Sequence, residues 1–418
     1  MTSVKPVRGT RDILPEAMRP HRHVVDTARD VAARYGYDEM TTPVFEFTEV
    51  FKRSLGDTSD VVTKEMYTFS MKAGEQITLR PEATAGIARA FISGGLSNQL
   101  PLKVFYTGPM FRYERPQKGR QRQFHQVGVE LLGVETPAAD IEVILLGAML
   151  LETLGLRDKV TLELNTLGDA ESRMTYRAQL VDYLSDHIGH LSDESRDRLE
   201  RNPLRVLDSK DEGDRAVVAD APLLGDCLNQ QSQEFFGTLC NGLDAAGVAF
   251  KVNPRLVRGL DYYCHTAFEF TTETLGAQGT VLAGGRYDGL IEQMGGTPTP
   301  GIGWAAGVER LSMMLAEDAA PAPRPIVVVP VGDAAQEPAV AIATRLRRAG
   351  FIVDLGYSGN VGKRMKRANK VNARVVLLMG DDELDRSAAT VRDLDSGEQA
   401  EVALADLESH LVRYRQGE

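Results

Sequence analysis

The pattern of hydrophobic positions predicts a helix followed by a strand near the start of the chain. Apolar residues recur at helical spacing from about residue 17 to residue 35, and Gly36 suits the left-handed position after a helix. The strand-like stretch MTTPVFEF comes next and contains Pro43. Because proline cannot donate to a strand ladder, Pro43 is expected at an edge, a bulge or a strand end. An edge strand alone and a dimer edge are equally compatible with these residues.

A β-hairpin is predicted for residues 103 to 132, with Pro116 and Gly119 in its loop. Side chains alternate along a strand, so the apolar positions of the second arm face the core. The opposite face of that arm carries Phe124, Gln126, Gly128 and Glu130. This face combines an aromatic ring, an amide, a glycine without a side chain and a carboxylate. Such a combination is unusual for a strand face that meets only solvent. The seven consecutive positions from Phe124 to Glu130 span roughly 20 Å, enough for a nucleotide joined to a small polar molecule.

The middle of the chain changes character. Residues from about 168 to 245 are charged and helical, which indicates an inserted, mostly helical module. Strand patterns return with YYCHTAFEFTT and TVLAGGRYDGL, and GIGWAAGVERL predicts a glycine-rich strand that runs into a helix. Tyr262 and Tyr263 are expected within a strand, where both contact one ligand only if a bulge breaks the alternation.

A second domain is predicted after an alanine- and proline-rich linker at residues 316 to 325. Strands and helices alternate beyond it, which predicts an α/β domain whose strand order the sequence leaves open. One helix there carries a basic run of Lys363, Arg364, Lys366, Arg367 and Lys370. A solvated helix face is the ordinary interpretation of such a run.

Composition narrows the class of protein. With 43% hydrophobic and 26% charged residues among 418, no bilayer-length apolar run and no secretory signal, a soluble cytoplasmic protein with no membrane partner is expected. Three scattered cysteines and the lack of a C-x-x-C pair argue against disulfides and structural zinc. The formal charge of −11 excludes a surface that binds nucleic acid everywhere, so any such contact requires local basic patches.

One basic patch lies in the predicted hairpin, in FRYERPQKGRQRQFHQVGVE. A guanidinium such as that of Arg112 can donate two hydrogen bonds to a phosphate, and Phe124 can stack on a base. Arg310, early in the helix after the glycine-rich strand, and Arg258, just before the tyrosines, are further cations suited to phosphates. The alternative is a solvated hairpin with local ion pairs.

Together these motifs resemble those of class II aminoacyl-tRNA synthetases. FRYE with Arg120-x-x-x-Phe124, GIGWAAGVER and the helix–strand with Pro43 are similar to motifs 2, 3 and 1. RGTRDILP, LRPEATAG, LVRGLDYY and AGGRYDGL narrow the resemblance to the histidyl-tRNA synthetase family, over nearly the whole chain. Ala83 is a departure, because glycine is common at that position in the family.

The resemblance implies a fold and a reaction. The fold is an α+β catalytic domain on an antiparallel class II synthetase sheet, residues 1–320, with the helical insertion at about 168–245, and a C-terminal α/β anticodon-binding domain, residues 326–418. In the reaction, L-histidine and ATP form histidyl-adenylate, and the histidyl group then passes to tRNA-His. Mg²⁺ accompanies ATP, and no protein site for a metal is expected. A homodimer through the Pro43 segment is also implied.

The same resemblance implies residue roles. Arg258 and Arg112 are assigned to catalysis, and ATP binding is assigned to Arg112, Glu114, Arg120, Phe124 and Arg310. Histidine binding is assigned to Glu82, Ala83, Thr84, Gln126, Glu130, Arg258, Tyr262 and Tyr263. Acceptor-end contacts to tRNA are expected from Arg115, Gln117 and Arg122, and contacts to RNA from the basic run of the last domain. His125 is expected to be packed and hydrogen-bonded, and His265 is left unassigned.

Three alternatives differ from this hypothesis. A catalytically silent regulatory relative would keep the histidine pocket, but such proteins tend to lose the RGLDYY arginine and the last domain, both present here. Another class IIa synthetase would lack the combination of Glu82, Glu130 and RGLDYY. A generic nucleotide-binding α/β protein would carry GxxxxGK[ST] or a strand-linked GxGxxG, and the chain has neither.

Overall fold

The structure is a computed structural model that describes residues 4–56, 59, 61–257, 262–276, 279–316 and 319–415, without the side chain at position 208. The chain divides into two compact units, Met1–Ala320 and Pro321–Glu418. Among the helices of the described ranges, none has both the length and the apolar character needed to span a bilayer. The three cysteines are unpaired and half-buried.

The first unit contains helices and strands in alternation. Its helices are α1 (Pro15–Arg34), α2 (Thr48–Leu55), α3 (Thr84–Ser93), α4 (Pro137–Thr153), α5 (Ala170–Asp186), α6 (Asp193–Arg201), α7 (Glu212–Ala219), α8 (Gln230–Ala245), α9 (Leu290–Gln293) and α10 (Val308–Met314). Its strands are β1 (Asp38–Glu39), β2 (Phe45–Phe47), β3 (Tyr67–Ser70), β4 (Gln76–Leu79), β5 (Leu102–Phe111), β6 (Gln123–Leu132), β7 (Thr161–Thr166), β8 (Lys251–Val252), β9 (Cys264–Thr271), β10 (Thr280–Arg286) and β11 (Gly301–Gly307). Short helical turns lie at Val61–Glu65, Leu96–Gln99, Arg157–Lys159, Ile188–His190, Pro203–Asp208 and Leu224–Cys227.

The first predicted helix is confirmed as α1. Pro15 occupies its first turn, where the missing N–H has no intrahelical partner to lose. Gly36 follows its C-terminal end with φ +77°, the left-handed conformation that glycine adopts without strain.

Eight strands of the described chain form the main sheet, in the order β1-β5-β6-β11-β10-β9-β7-β8. The inner strands pair antiparallel, and the two short edge strands pair parallel to their neighbours. The predicted hairpin is confirmed, because β5 and β6 pair from Leu102↔Leu132 to Phe111↔Gln123. Val127, Val129 and Leu131 are buried with residues of α1, α4 and α10, so the alternation also assigned the core face correctly.

The stretch MTTPVFEF forms a shorter strand than predicted. Its first residue, Met40, bonds to Phe105 of the main sheet, whereas β2 belongs to a small separate sheet in the order β2-β4-β3. Pro43 lies in the crossing between the two sheets, just before an edge strand, as the missing N–H requires. Phe45 and Phe47 on that edge are exposed.

The predicted helical insertion corresponds to α5–α8. Most of its apolar residues form a separate hydrophobic cluster, which includes Tyr176, Leu180 and Val206. Leu239 and Leu243 of α8 instead join the core beneath the main sheet. The module is therefore attached to the main core through its last helix.

The second unit is an α/β domain. Its helices are α11 (Gln336–Arg348), α12 (Val361–Lys370), α13 (Asp381–Asp385) and α14 (Leu407–Leu411), with short turns at Leu404–Asp406 and Val412–Tyr414. Its strands are β12 (Ile326–Pro330), β13 (Val353–Leu355), β14 (Val375–Met379), β15 (Ala388–Asp393) and β16 (Gln399–Ala403). They follow the order β13-β12-β14-β15-β16, parallel among the first three and antiparallel at the last two pairings.

The basic run on α12 is less uniform than the sequence indicated. Arg364 is buried and donates to the carbonyl oxygen of Pro330. Arg367 pairs with Asp354 at 3.0 Å. Lys363, Lys366 and Lys370 are exposed and form the solvent-facing part of the run.

Candidate active site

A cavity of about 510 Å³ lies on the polar face of the main sheet, in the size range of small-molecule sites. Strands β6, β10 and β11 line it, together with the hairpin loop, the start of α3 and the segment before β9. The predicted histidine and ATP residues that reach this one cavity are Glu82, Thr84, Arg112, Glu114, Arg120, Phe124, Gln126, Glu130, Tyr262, Tyr263 and Arg310.

Glu130 is the most enclosed carboxylate of the cavity, with an exposed fraction of 1%. The Thr84 hydroxyl donates to it at 2.7 Å, and the Tyr287 hydroxyl donates to its other oxygen. Burial raises the pKa of Glu130 to about 8. A Cβ built on Gly303 would overlap this carboxylate, so β11 needs a bare backbone there.

Glu82 lies beside Glu130 at the N-terminus of α3. Its carboxylate accepts the backbone N–H groups of Thr84 and Ala85, each at 2.8 Å, and so satisfies two donors that the first helical turn leaves open. Burial raises the pKa of Glu82, and these hydrogen bonds oppose the shift. We call this part of the cavity, formed around Glu82 and Glu130, the carboxylate end.

Ala83 was assigned to histidine binding, but its side chain packs elsewhere. It is buried in a small hydrophobic cluster with Ile87, Val104, Tyr106 and Met110. The methyl group that distinguishes this chain from the common glycine therefore fills core volume.

The two tyrosines lie before β9, not within it as predicted. The strand begins at Cys264, and the pairing of β9 with β10 shifts register between Gly285 and Arg286. Next to that irregularity, His265 has φ +44°. Because strand alternation does not apply to Tyr262 and Tyr263, both line the cavity, with ring centres 4.5 Å apart.

Three guanidinium groups, those of Arg112, Arg120 and Arg310, form a second part of the cavity, which we call the arginine end. It adjoins the carboxylate end, because Arg112 is near enough to Glu82 to act against the rise in the pKa of that carboxyl. Arg112 donates to the carbonyl oxygen of Pro81 at 2.9 Å and lies 5.5 Å from the ring centre of Phe124. Arg310 donates to the carbonyl oxygens of Gly119 and Thr280 at 3.1 and 2.6 Å.

These cations are close enough to repel one another. Burial lowers the pKa of Arg310, and repulsion from Arg120 and Arg112 lowers it further. Burial also lowers the pKa of Arg120, with Arg112 adding to the shift. Such a cluster favours a polyanion, because a ligand's negative charge relieves this repulsion.

Two further predicted residues have distinct environments. Glu114 forms an ion pair with Arg120, and its other oxygen lies 4.0 Å from Arg112. Gln126 carries a buried amide oxygen to which no described residue donates a hydrogen bond. A buried acceptor of this kind, in a cavity wall, is suited to a donor on a ligand.

The predicted tRNA contacts divide into two kinds. Arg115 and Gln117 are exposed on the hairpin loop. Arg122 is half-buried, donates to the carbonyl oxygen of Glu114 at 3.2 Å and lies 3.9 Å from the ring centre of Tyr113. Arg258, assigned to catalysis and histidine binding, lies outside the described residues.

Comparison with known proteins identifies the family. The model of histidyl-tRNA synthetase matches residues 9–311, and that of an anticodon-binding domain matches residues 325–414. The chain belongs to the histidyl-tRNA synthetase family. This confirms the family and the fold class inferred from the motifs.

Individual members of the family align over nearly the full chain. The histidine–tRNA ligase of Rhodospirillum rubrum is 63% identical over 414 residues, covering 99% of this chain and 100% of that protein. That of Gluconacetobacter diazotrophicus is 56% identical, with 99% of each chain covered. The crystal structure of apo histidyl-tRNA synthetase from S. aureus has 33% identity and a TM-score of 0.82, covering 98% of this chain and 99% of that one.

Sequence reasoning missed several residues of the cavity wall, among them Lys210, Glu269 and Tyr287. Glu269 is an acidic residue between two phenylalanines of β9, and that interruption of an apolar strand was a usable signal. Tyr287 follows the strand in AGGRYDGL, a motif that was noted without a role for its tyrosine. Lys210 belongs to the helical insertion, and no local pattern indicates that the insertion reaches the cavity.

Proposed function

We propose that this protein ligates L-histidine to tRNA-His through a histidyl-adenylate, using ATP with Mg²⁺ bound to its phosphates, in the cytoplasm. Residues 1–320 would carry out catalysis and residues 326–418 would bind the anticodon. The supporting observation is that buried carboxylates and converging arginines line one cavity. A reaction that joins an amino acid to a nucleotide needs both groups together. Arg112 and Arg310 in that cavity favour the ligase over a silent regulatory relative.

In the first step, the carboxylate oxygen of histidine attacks the α-phosphorus of ATP. A new P–O bond forms, the bond to the β-phosphate oxygen breaks, and pyrophosphate leaves. Fixed cations stabilise the charge that develops on the phosphoryl oxygens. Arg112 and Arg258 act at the α-phosphate, Arg120 supports the phosphates, and Arg310 holds the γ-phosphate. Phe124 stacks on adenine, and Glu114 bonds to its edge.

Histidine is selected at the carboxylate end. Glu130 and Tyr263 hydrogen-bond opposite nitrogens of the imidazole, with Tyr262 beside them. Glu82, Thr84, Gln126 and Arg258 hold the α-amino and carboxylate groups. An analogue that lacks the imidazole nitrogens leaves these groups buried and unpaired, which supports discrimination on the order of 10⁴ without an editing domain.

In the second step, the terminal adenosine of tRNA-His accepts the histidyl group. Arg115 and Gln117 are exposed on the loop above the cavity and would contact the acceptor end, whereas Arg122 holds the loop in place. In the second unit, the exposed Lys363, Lys366 and Lys370 would contact the RNA backbone. Phosphate contacts of this kind weaken as salt concentration rises.

We infer a homodimer through the small sheet and the Pro43 segment. Exposed apolar side chains cluster on and beside β2 and β3, namely Val44, Phe45, Phe47, Phe69 and Met71. An apolar patch beside an edge strand is suited to burial against a second copy. Phe47→Glu is expected to shift the molar mass in light scattering toward that of a monomer. Met174→Glu, an exposed methionine of the insertion, is the matched control.

Pyrophosphate exchange tests the ligase function. The purified protein is expected to exchange labelled pyrophosphate into ATP only with L-histidine among the amino acids, and then to charge tRNA-His. Exchange with another amino acid would overturn the specificity, and no exchange at all would overturn adenylate formation. Exchange without transfer to tRNA-His would overturn the second step alone.

A further inference from the structure

Three metal-ligating side chains from separate elements meet beside the active-site cavity. His21 lies on α1, His125 on β6 and Glu309 on α10. One ring nitrogen of each histidine and one carboxylate oxygen lie within 4.8 Å of one another. None of the three was given a role in the reaction, although Glu309 reaches the cavity wall.

His21 provides the observation that points to a ligand. Its exposed fraction is 7%, and no described residue hydrogen-bonds either of its ring nitrogens. A buried polar group without a partner is costly, so its retention calls for a physical reason. Burial lowers the pKa of His21, and the neighbouring His125 lowers it further.

His125 and Glu309 are already arranged as in metal sites. Nδ1 of His125 lies 2.8 Å from Oε1 of Glu309, and the backbone N–H of His125 donates to both carboxylate oxygens at 3.1 and 2.9 Å. This confirms the hydrogen-bonded role expected for His125. With both groups as ligands, an ion would replace the Nδ1–Oε1 contact, because a carboxylate bonded to one ring nitrogen lies too far from an ion on the other.

We propose that His21, His125 and Glu309 bind one divalent first-row transition-metal ion, with Zn²⁺ as the expected occupant. Two imidazoles with one carboxylate are a known zinc ligand set, which leaves a fourth position for water. The His125 side chain is 22% exposed and provides the access that an ion and its water require.

Binding requires a small contraction of the cluster. Ligand atoms around tetrahedral zinc lie about 3.4 Å apart, given bonds of about 2.1 Å. The present limit of 4.8 Å exceeds that by a distance that side-chain rotation covers. The His21 and His125 rings lie at 87° to each other with centres 4.7 Å apart, so one ring must turn. Arg11 is near enough to affect His21 and opposes a cation, which limits the affinity.

An ion here would join α1, β6 and α10 at one point. His125 lies between Phe124 and Gln126, and Glu309 directly precedes Arg310. The ion would therefore hold the backbone that positions residues at both ends of the cavity. Metal that binds the folded state alone also raises its melting temperature by mass action.

Cobalt absorption tests the site on tag-free, chelator-treated protein without substrates. Co²⁺ is expected to bind at one ion per chain with the intense visible bands of a tetrahedral site, and Zn²⁺ is expected to displace it. His21→Phe keeps an aromatic ring but removes both nitrogens, so it should weaken Co²⁺ binding on the order of 100-fold. His23→Phe, two residues along the same helix, is the matched control and should bind as the wild type does.

Absence of the visible bands, or equal affinity in His21→Phe and wild type, would overturn the proposal. If a substitution at position 21 impairs folding, Glu309→Gln provides the second variant and should also weaken Co²⁺ binding. Because no substrate is present, a negative result leaves the ligase function untouched, and failure of pyrophosphate exchange leaves this site untouched.

Discussion

At the carboxylate end of the cavity, neighbouring donors hold Glu82 and Glu130, whereas at the arginine end Arg112, Arg120 and Arg310 repel one another. Backbone N–H groups bind Glu82, and two hydroxyl groups bind Glu130. Arg112 is instead held by one carbonyl oxygen, Arg310 by two, and Arg120 by the carboxylate of Glu114. The pKa of Arg310 is depressed by burial and by the two other arginines.

Because of this difference, the two ends recognise a ligand in different ways, one mainly by shape and the other mainly by charge. The carboxylate end is preorganised by short hydrogen bonds in a buried site, so it recognises a ligand by matching donors and acceptors. The arginine end gathers three guanidinium groups whose mutual repulsion a polyphosphate relieves, so it recognises charge with less demand on shape. Substitutions at the two ends should therefore affect different kinetic constants.

The largest effect is expected at the arginine end. Arg112→Ala removes a cation from the α-phosphate, and loss of one such donor lowers the rate on the order of 10²- to 10³-fold. Pyrophosphate exchange at saturating histidine and ATP measures this. Lys118→Ala, an exposed cation of the same loop, should keep the wild-type rate. A rate for Arg112→Ala within about threefold of wild type would remove this arginine from the mechanism.

A smaller and more selective effect is expected at the carboxylate end. Glu130→Gln keeps the shape but cannot become a carboxylate, the form that accepts hydrogen bonds at both oxygens when histidine is bound. We expect kcat/KM for histidine to fall on the order of 100-fold, while KM for ATP changes less than about threefold. Exchange kinetics with each substrate varied in turn measure both constants. An equal loss for both substrates would contradict the separation of the two ends.

The raised pKa of Glu130 predicts a pH dependence of stability. In the unfolded chain a glutamate loses its proton near pH 4.3, but in the folded protein the proton stays until about pH 8. Between these values the folded state binds more protons, so stability is greatest below the window and falls as pH rises through it. From about pH 6 to pH 8, the apo melting temperature should fall a few °C more in wild type than in Glu130→Gln. If calorimetry shows the same change of melting temperature with pH in both proteins, Glu130 does not keep its proton in the folded state over this pH range.

The smallest effect concerns the loop above the arginine end. Arg115→Ala should raise KM for tRNA-His roughly threefold and reduce the salt slope of tRNA binding by about 0.7 to 0.9, because one phosphate contact is lost. Charging assays and binding at several salt concentrations measure this. An unchanged salt slope would show that Arg115 does not meet a phosphate.

Local patterns were enough to predict the hairpin and the strand–helix of Arg310. The period-2 alternation of β6 separates a core face from a ligand face, and both assignments hold in the structure. The turn residues Pro116 and Gly119 marked the loop correctly between β5 and β6. Such features depend on residues that are close in the sequence, so local sequence patterns predict them.

Features set by distant partners were not predictable. The first pair of β9 with β10 is Cys264↔Arg286, so the tyrosines precede the strand in which the sequence placed them. Lys210 enters the cavity wall because of how the insertion packs. The contacts of Arg122 with the carbonyl oxygen of Glu114 and the ring of Tyr113 were likewise not predictable, and its contact with tRNA stays a prediction.

The surroundings of Glu130 have a consequence for synthesis of the chain. Thr84, which precedes Glu130 in the sequence, donates to its carboxylate. Tyr287, which follows Glu130 by 157 positions, donates to the same group. Gly303, which makes room for the same group, comes later still. A nascent chain on the ribosome therefore cannot complete the amino-acid pocket until β11 has emerged. The substrate can stabilise only a nearly finished first domain, and fragments that end before β11 should gain no protection from histidine.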